Sequence, residues 1–200
     1  MNYDVWGNWS TAVGPNSPLN DTCSSHQEGS AVTFVNDWVQ AGFPKSKIVL
    51  GMAAYGHTFD VASSEISSAQ SLTEYPAFNQ GGSQGAEFGD TWTNTGSTDQ
   101  CGQYVPAGST MEYWGLMQQG FLTSDGSPES GILHAFDNCS QTDYVYNPET
   151  GVAVSYDSPQ AFSAKGEFIV SEGLKGFCVW ETGGDSHDLL LDAVRSAAGF

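Results

Sequence analysis

The sequence predicts an α/β fold interrupted by a mainly β insertion, and three observations carry that prediction. The run Ile48-Val49-Leu50-Gly51-Met52-Ala53-Ala54 is continuously apolar and partly β-branched, as a strand buried on both faces requires. Ala31, Val35, Trp38 and Val39 precede it at i, i+4, i+7, i+8, one stripe of a helix. Residues 58–153 then change texture, with Gly, Ser, Thr and Asn dominant, aromatics interspersed and helical periodicity weak, before α/β alternation resumes at about 154.

In chain order, Met1 to Trp6 reads as a strand end running into a loop over 7–30 rich in Gly, Asn, Ser and Pro. The helix over 31–41 stops at Gly42 and Pro44. Lys45-Ser46-Lys47 leads into the apolar strand. One short helix is predicted around Thr110–Gln119. Alternation in Asp143–Asn147 and Val152–Tyr156 predicts a hairpin across Pro148–Gly151. Ser158 is an N-cap with Pro159 at the first helical position, and Ala161, Phe162, Lys165, Phe168 and Ile169 continue a helix that ends before Gly173. Gly176–Trp180 reads as a second buried strand. Asp185 or Ser186 caps a last helix that carries Leu189, Leu190, Leu191 and Val194.

Composition narrows the function classes. Lys and Arg number 5 against 23 Asp and Glu, a net charge of −18 that repels nucleic acid and anionic membrane surfaces. Aromatics at 12% exclude a disordered chain, and only 14% of residues are charged. A neutral polar surface with 6 Trp suits neutral polar ligands such as sugars. No apolar run approaches the roughly 18 residues of a membrane span. The first twenty residues hold neither the basic nor the apolar stretch of a signal peptide. The sequons at Asn8, Asn20 and Asn138, four distant Cys and few Lys nevertheless point to a secretory context.

Met1-Asn2-Tyr3-Asp4 resembles the M-x-Y-D motif that ends the sixth barrel strand of family 18 glycoside hydrolases, the chitinases. Val5–Trp9 and Gly14–Leu19 continue the likeness in register. Lys47–Gly51 followed by Tyr55-Gly56-His57-Thr58-Phe59 is similar to that family's seventh strand and its Y-G-R-S-F motif. Tyr156-Asp157-Ser158-Pro159 and Gly173–Glu181 resemble the segments around its last helices and eighth strand. The texture is most like the fungal members. The resemblance implies the C-terminal part, strands 6–8, of a TIM (β/α)8 barrel with an α+β chitinase insertion subdomain. Residues 1–57 would hold strands 6 and 7 with helix 6, residues 58–153 the insertion, and residues 154–200 helix 7, strand 8 and helix 8. No D-x-x-D-x-D-x-E occurs in the 200 residues, so the family's general acid is missing from them. A translation start at an internal Met of a longer frame would account for both this and the missing signal; the parent protein would be extracellular.

The resemblance also assigns roles. The family's reaction is retaining and substrate-assisted: the sugar's own acetamide oxygen attacks the anomeric carbon. Tyr3 would donate to that acetamide, Asp4 would bind sugar hydroxyls and the catalytic cluster, and Trp180 would form the floor under the reacting sugar. Tyr55 and His57 would contact the sugar, Trp9 would stack at a neighbouring subsite, and Met1 would belong to the same face. His57 stands where Arg is usual, Gly115 where many insertions have Glu, and Cys178 where Met is common. A proton donor needs a raised pKa. Glu65, Glu74, Glu87, Glu112, Glu129 and Glu149 fall in the insertion; only Glu181 lies beside Trp180, and the resemblance gives it no acid role. The chain alone is therefore expected to bind chitin or chitin oligosaccharides without turnover, as a monomer, with no cofactor and no metal. A chitin-binding remnant or an incomplete reading frame is the alternative.

Other constellations are weaker. Gly184-Asp185-Ser186 with His187 suggests a serine nucleophile, but adjacent residues at a helix start are not expected to hydrogen-bond as a triad does. Asp185, His187 and Asp188 lack a second ligand pair at metal-binding spacing. Four Cys allow three pairings; a bridge Cys101–Cys139 within the insertion is expected, with Cys178 a buried thiol. Three strands of eight would leave two open edges, a folding liability.

Overall fold

A computed structural model describes residues 1–80, 90, 97–98, 100–102, 104–105 and 109–200. Its elements are α1 (Ala31–Gln40), β1 (Val49–Ala53), β2 (Tyr55–Asp60), β3 (Ser97–Thr98), β4 (Tyr104–Val105), β5 (Thr110–Glu112), α2 (Tyr113–Gln118), β6 (Leu133–Asp137), β7 (Thr142–Asn147), β8 (Val152–Tyr156), α3 (Pro159–Glu172), β9 (Gly176–Trp180) and α4 (Leu189–Ala198). The predicted α/β alternation is present. β1 and β9 pair in parallel, Val49 opposite Gly176 and Ala53 opposite Trp180. A five-stranded antiparallel sheet follows the order β5-β2-β8-β7-β6, and β3 and β4 form a small separate ribbon.

The expected hairpin is β7–β8, Asn147 paired with Val152. Every residue of β8 is buried because both faces of its sheet are covered. Val152, Val154 and Tyr156 join a core with Met52, Phe162, Leu190 and Val194. Ala153 joins a second core with Val13, Phe59, Leu72 and Tyr144.

α3 begins as its sequence dictates: Ser158 Oγ accepts the Ala161 N–H at 3.4 Å, and Pro159 occupies the first turn. It ends at Gly173, whose φ of 65° is the left-handed cap that favours glycine. Its Lys165 is completely buried, pairs with Asp157 and donates to Ser17 Oγ at 2.8 Å. Ser17 Oγ in turn donates to Asn2 O at 2.5 Å. Burial pulls the Lys165 ammonium down and pushes the Asp157 carboxyl up, each opposed by the other's charge. This network pins the N-terminal segment against α3. At α4 the N-cap position is Asp188, not Asp185 or Ser186, and its side chain makes no cap bond; Asp185, three residues earlier, accepts the N–H groups of Leu190 at 3.1 Å and Leu191 at 3.0 Å in its place.

Five further expectations are corrected. Met1 to Trp6 forms no strand: Asn2 N–H donates to Gly51 O at 3.1 Å, and Asp4, at φ 58°, then turns the chain away. Trp38 and Val39 share the helical stripe but are exposed; Trp38 lines a groove of about 380 Å³ between α1 and Val49 and Leu50. The helix expected over 110–119 is half strand: Thr110–Glu112 pairs with β2, and tertiary pairing overrides the local preference. β9 is not buried on both faces. Phe177 and Val179 pack on the core, while Cys178 and Trp180 are exposed on the face that carries no packed layer. Finally, Cys139 bridges Cys23, not Cys101. The 7–30 loop folds back onto the turn after β6, where Leu19 N–H donates to Ser140 O at 2.7 Å and brings Cys23 within reach.

Candidate functional site

β1, β2, β9 and the N-terminal loop bring most of the predicted site residues together. Gly51 makes the first juxtaposition possible: a Cβ there would stand 3.0 Å from Met1 Cα and 3.2 Å from the Tyr3 ring. Tyr3 thus packs closely against Gly51, 6.0 Å edge-to-face from Tyr55. Asp4 is aimed by its left-handed backbone, which Asn16 holds: Asn16 Oδ1 accepts the Asp4 N–H at 2.9 Å, and its Nδ2 donates to Tyr55 O at 2.9 Å.

Asp4 Oδ1 is the hub. Tyr55 Oη donates to it at 2.7 Å and His57 Nε2 lies at 2.9 Å. The His57 hydrogen bond holds the Asp4 carboxyl below its ordinary range, with burial opposing and the Tyr55 bond assisting. Burial and the Asp4 contact push the Tyr55 hydroxyl far up, so it remains a donor. Burial, Cys178 and Asp4 raise the Tyr3 hydroxyl as well. His57 is buried, its Nδ1 without a partner, and Trp9 stands edge-to-face over it at 5.1 Å. Trp9 itself is 59% exposed and Trp180, at the carboxyl end of β9, 60%. An ionised carboxylate, the Tyr3 phenol donor and two exposed indoles suit a neutral ligand with hydroxyls on one edge and C–H groups on its faces. Met1 contributes its backbone against Gly51, its side chain being 90% exposed.

Sequence reasoning missed three participants. Asn16 is the strut behind Asp4; its position inside the Gly14–Leu19 motif was the available signal. Asp90, fully buried, accepts the Glu112 N–H at 2.6 Å. Its side chain fills the space beside Gly115, where a Cβ would come within 2.7 Å of Asp90 Cβ. Glu112 lies opposite Tyr55 in the β2–β5 pair, its Oε2 buried without a donor. Burial first, then Asp90 and Glu181, push its carboxyl up to about 7. Glu87 lies outside the described residues.

Ser186 Oγ and His187 Nδ1 do meet, at 3.0 Å, against expectation. They do not make a triad: both Asp185 oxygens serve the N–H groups of Ser186, Leu190 and Leu191. Among the described residues no group of three or more His, Cys, Asp or Glu could hold a metal ion, and no helix is long and apolar enough to cross a membrane.

Known proteins resemble the chain over its whole length. The profile of Glycosyl hydrolases family 18 matches residues 1–185. A chitinase-like effector of Moniliophthora roreri is 47% identical over 205 residues, covering 100% of this chain and 49% of its own. One of Moniliophthora perniciosa is 49% identical over 201 residues, covering 98% and 45%. The crystal structure of the chitinase RmChi1 from Rhizomucor miehei superposes with a TM-score of 0.82 at 24% identity, over 98% of this chain and 52% of that one. The chain thus spans about half the length of the relatives it matches. The chain belongs to family 18 of the glycosyl hydrolases.

Proposed function

We propose that the chain carries the sugar-contacting portion of a family 18 chitinase site, binds β-1,4-linked N-acetylglucosamine oligomers, and does not hydrolyse them unaided. The observation that carries this is the Asp4–Tyr55–His57 network with the exposed Trp9 indole over His57, together with the exposed Trp180 at the end of the neighbouring β9. In this reading β1 and β9 are the seventh and eighth barrel strands, and the five-stranded sheet is centred on the insertion subdomain spanning 58–153, with β2 and β8 running across its two bounds. Tyr3 donates to the acetamide oxygen, Asp4 receives sugar hydroxyls, and the C–H face of one sugar lies on Trp180. That arrangement orients the acetamide for attack on its own anomeric carbon, a chemistry that needs no cofactor or metal. The leaving oxygen must still receive a proton, and the sequence contains no D-x-x-D-x-D-x-E to supply it.

Family 18 chitinase structures from Cycas revoluta were solved with (GlcNAc)3 and (GlcNAc)4, which names the ligand to try. A second reading, a non-catalytic binder of chitin fragments in its own right, is favoured by the 47% and 49% identity to chitinase-like effectors and by His57 standing in place of the usual Arg. Both readings take the chain as an extracellular monomer, consistent with its disulfide.

Titrating the chain with (GlcNAc)4 should quench its tryptophan emission. Trp180→Ala should weaken binding about tenfold or more, as expected when a central aromatic anchor is lost. No sugar should be released from a fluorogenic chitobioside. Binding indifferent to Trp180→Ala would overturn the assignment of that face, and Trp180-dependent release would overturn the claim of no turnover.

A further inference from the structure

The segment that follows Trp180 rests on β5 and α2. Ala54 N–H donates to Trp180 O at 2.8 Å, Gly184 N–H to Glu181 O at 3.0 Å, Tyr113 N–H to Ala54 O at 2.9 Å, and Trp114 N–H to Gly184 O at 3.1 Å. Beneath this stitching lies the Glu112 carboxyl. A Cβ at Gly184 would stand 2.2 Å from Glu112 Oε2 and 2.7 Å from Ala54 O, so the turn sits directly on that oxygen and only glycine fits. Among the described residues no donor reaches Oε2. The charged groups facing the carboxyl are Asp90 and Glu181, both acidic, and the remaining titratable neighbour is the Tyr55 hydroxyl.

We infer that Glu112 is a positioning residue for Trp180, its carboxyl wedged under the Gly184 turn and setting where the indole stands. The inference rests on the reading of Trp180 as a sugar platform only for its consequence in binding. Among the described residues an oxygen in this slot has no cation or N–H to offset a charge, and two carboxylates oppose one. The neutral acid packs there; the anion is driven out toward solvent and takes the support of the turn with it. Burial and those neighbours place the change at about pH 7. The exposed indole should therefore occupy one position below that pH and another above it.

The test uses the full chain without ligand. Acrylamide quenching of Trp180, obtained as the difference between the wild type and Trp180→Phe, is followed from pH 5.5 to 8.5. A transition near pH 7 is expected. It should vanish in Glu112→Gln, whose amide cannot ionise, and move to lower pH in Glu181→Gln, which removes one opposing charge. Circular dichroism at both ends of the range establishes that each variant is folded. A flat profile in the wild type, or the same transition in folded Glu112→Gln, overturns the inference. Should Glu112→Gln fail to fold, an unmoved transition in Glu181→Gln overturns it as well.

Titration with (GlcNAc)4 separates the two claims. Kd should rise by up to about tenfold per pH unit above the transition, the limit for loss of a single proton, and lose that slope in Glu112→Gln. A ligand-free transition with no oligosaccharide bound at pH 6 upholds the role of Glu112 and defeats the glycan reading. Binding without a ligand-free transition does the reverse.

Discussion

Lys165→Met should lower the unfolding free energy by about 3–5 kcal/mol, measured by urea denaturation at pH 7. The substitution removes the buried partner of Asp157, whose Oδ1 already lacks a donor. Met roughly conserves the volume of the stem, so the loss is electrostatic and not a cavity. The direction follows from two opposing magnitudes. Removing both charges from water is costly enough that the pair itself adds little. Leaving one charge behind keeps that desolvation and forfeits the attraction. The double variant Lys165→Met, Asp157→Leu should accordingly recover most of the loss. Ser17 and Asn2 hang on the same network, so the single variant should also loosen the segment that carries Tyr3 and Asp4. A single variant within about 1 kcal/mol of wild type would show that Asp157 sheds its charge at no cost and that the pair is dispensable.

Breaking the Cys23–Cys139 bridge should be comparably severe. The bridge spans 116 residues of sequence, a long loop whose closure costs the unfolded chain entropy. Cys23→Ser should cost about 2–5 kcal/mol and lower the melting temperature, with the wild type in reductant behaving alike. The loss has a local component. Asn20, Ser24 and Tyr75 cluster around the bridge: Ser24 Oγ and Tyr75 Oη lie 2.7 Å apart, and Cys139 Sγ lies 3.8 Å from Asn20 O. Digestion without reductant should release one linked peptide pair containing Cys23 and Cys139. Recovery of Cys101 linked to Cys139 would refute the pairing.

Features governed by neighbours in sequence were legible. The apolar run of β1, the alternation of β7 and β8, and the Ser158-Pro159 start and Gly173 stop of α3 each depend on residues within a turn or a strand length. Long-range features were not. Asp4 and His57 are 53 residues apart, and nothing in local periodicity brings them to one hydrogen bond; they entered through the resemblance of their motifs. The mispaired Cys101 shows the same limit, since closeness in sequence favoured the wrong partner. Trp180 shows another: the apolar run Phe177–Trp180 gives the strand but not how many of its faces are covered. Glu112 was invisible because its character comes from Asp90 and from the Glu181–Gly184 turn, supplied by two stretches of chain distant from it in sequence.

Asp90 and Gly115 occupy one shared volume, and that constrains the order in which this lineage can change. An acidic side chain placed at 115 would drive into Asp90 Cβ unless position 90 had first become smaller. Shrinking position 90 alone empties a fully buried site and strips the Glu112 N–H of its acceptor. Each single step is expected to be a loss, so the two positions should change together or not at all.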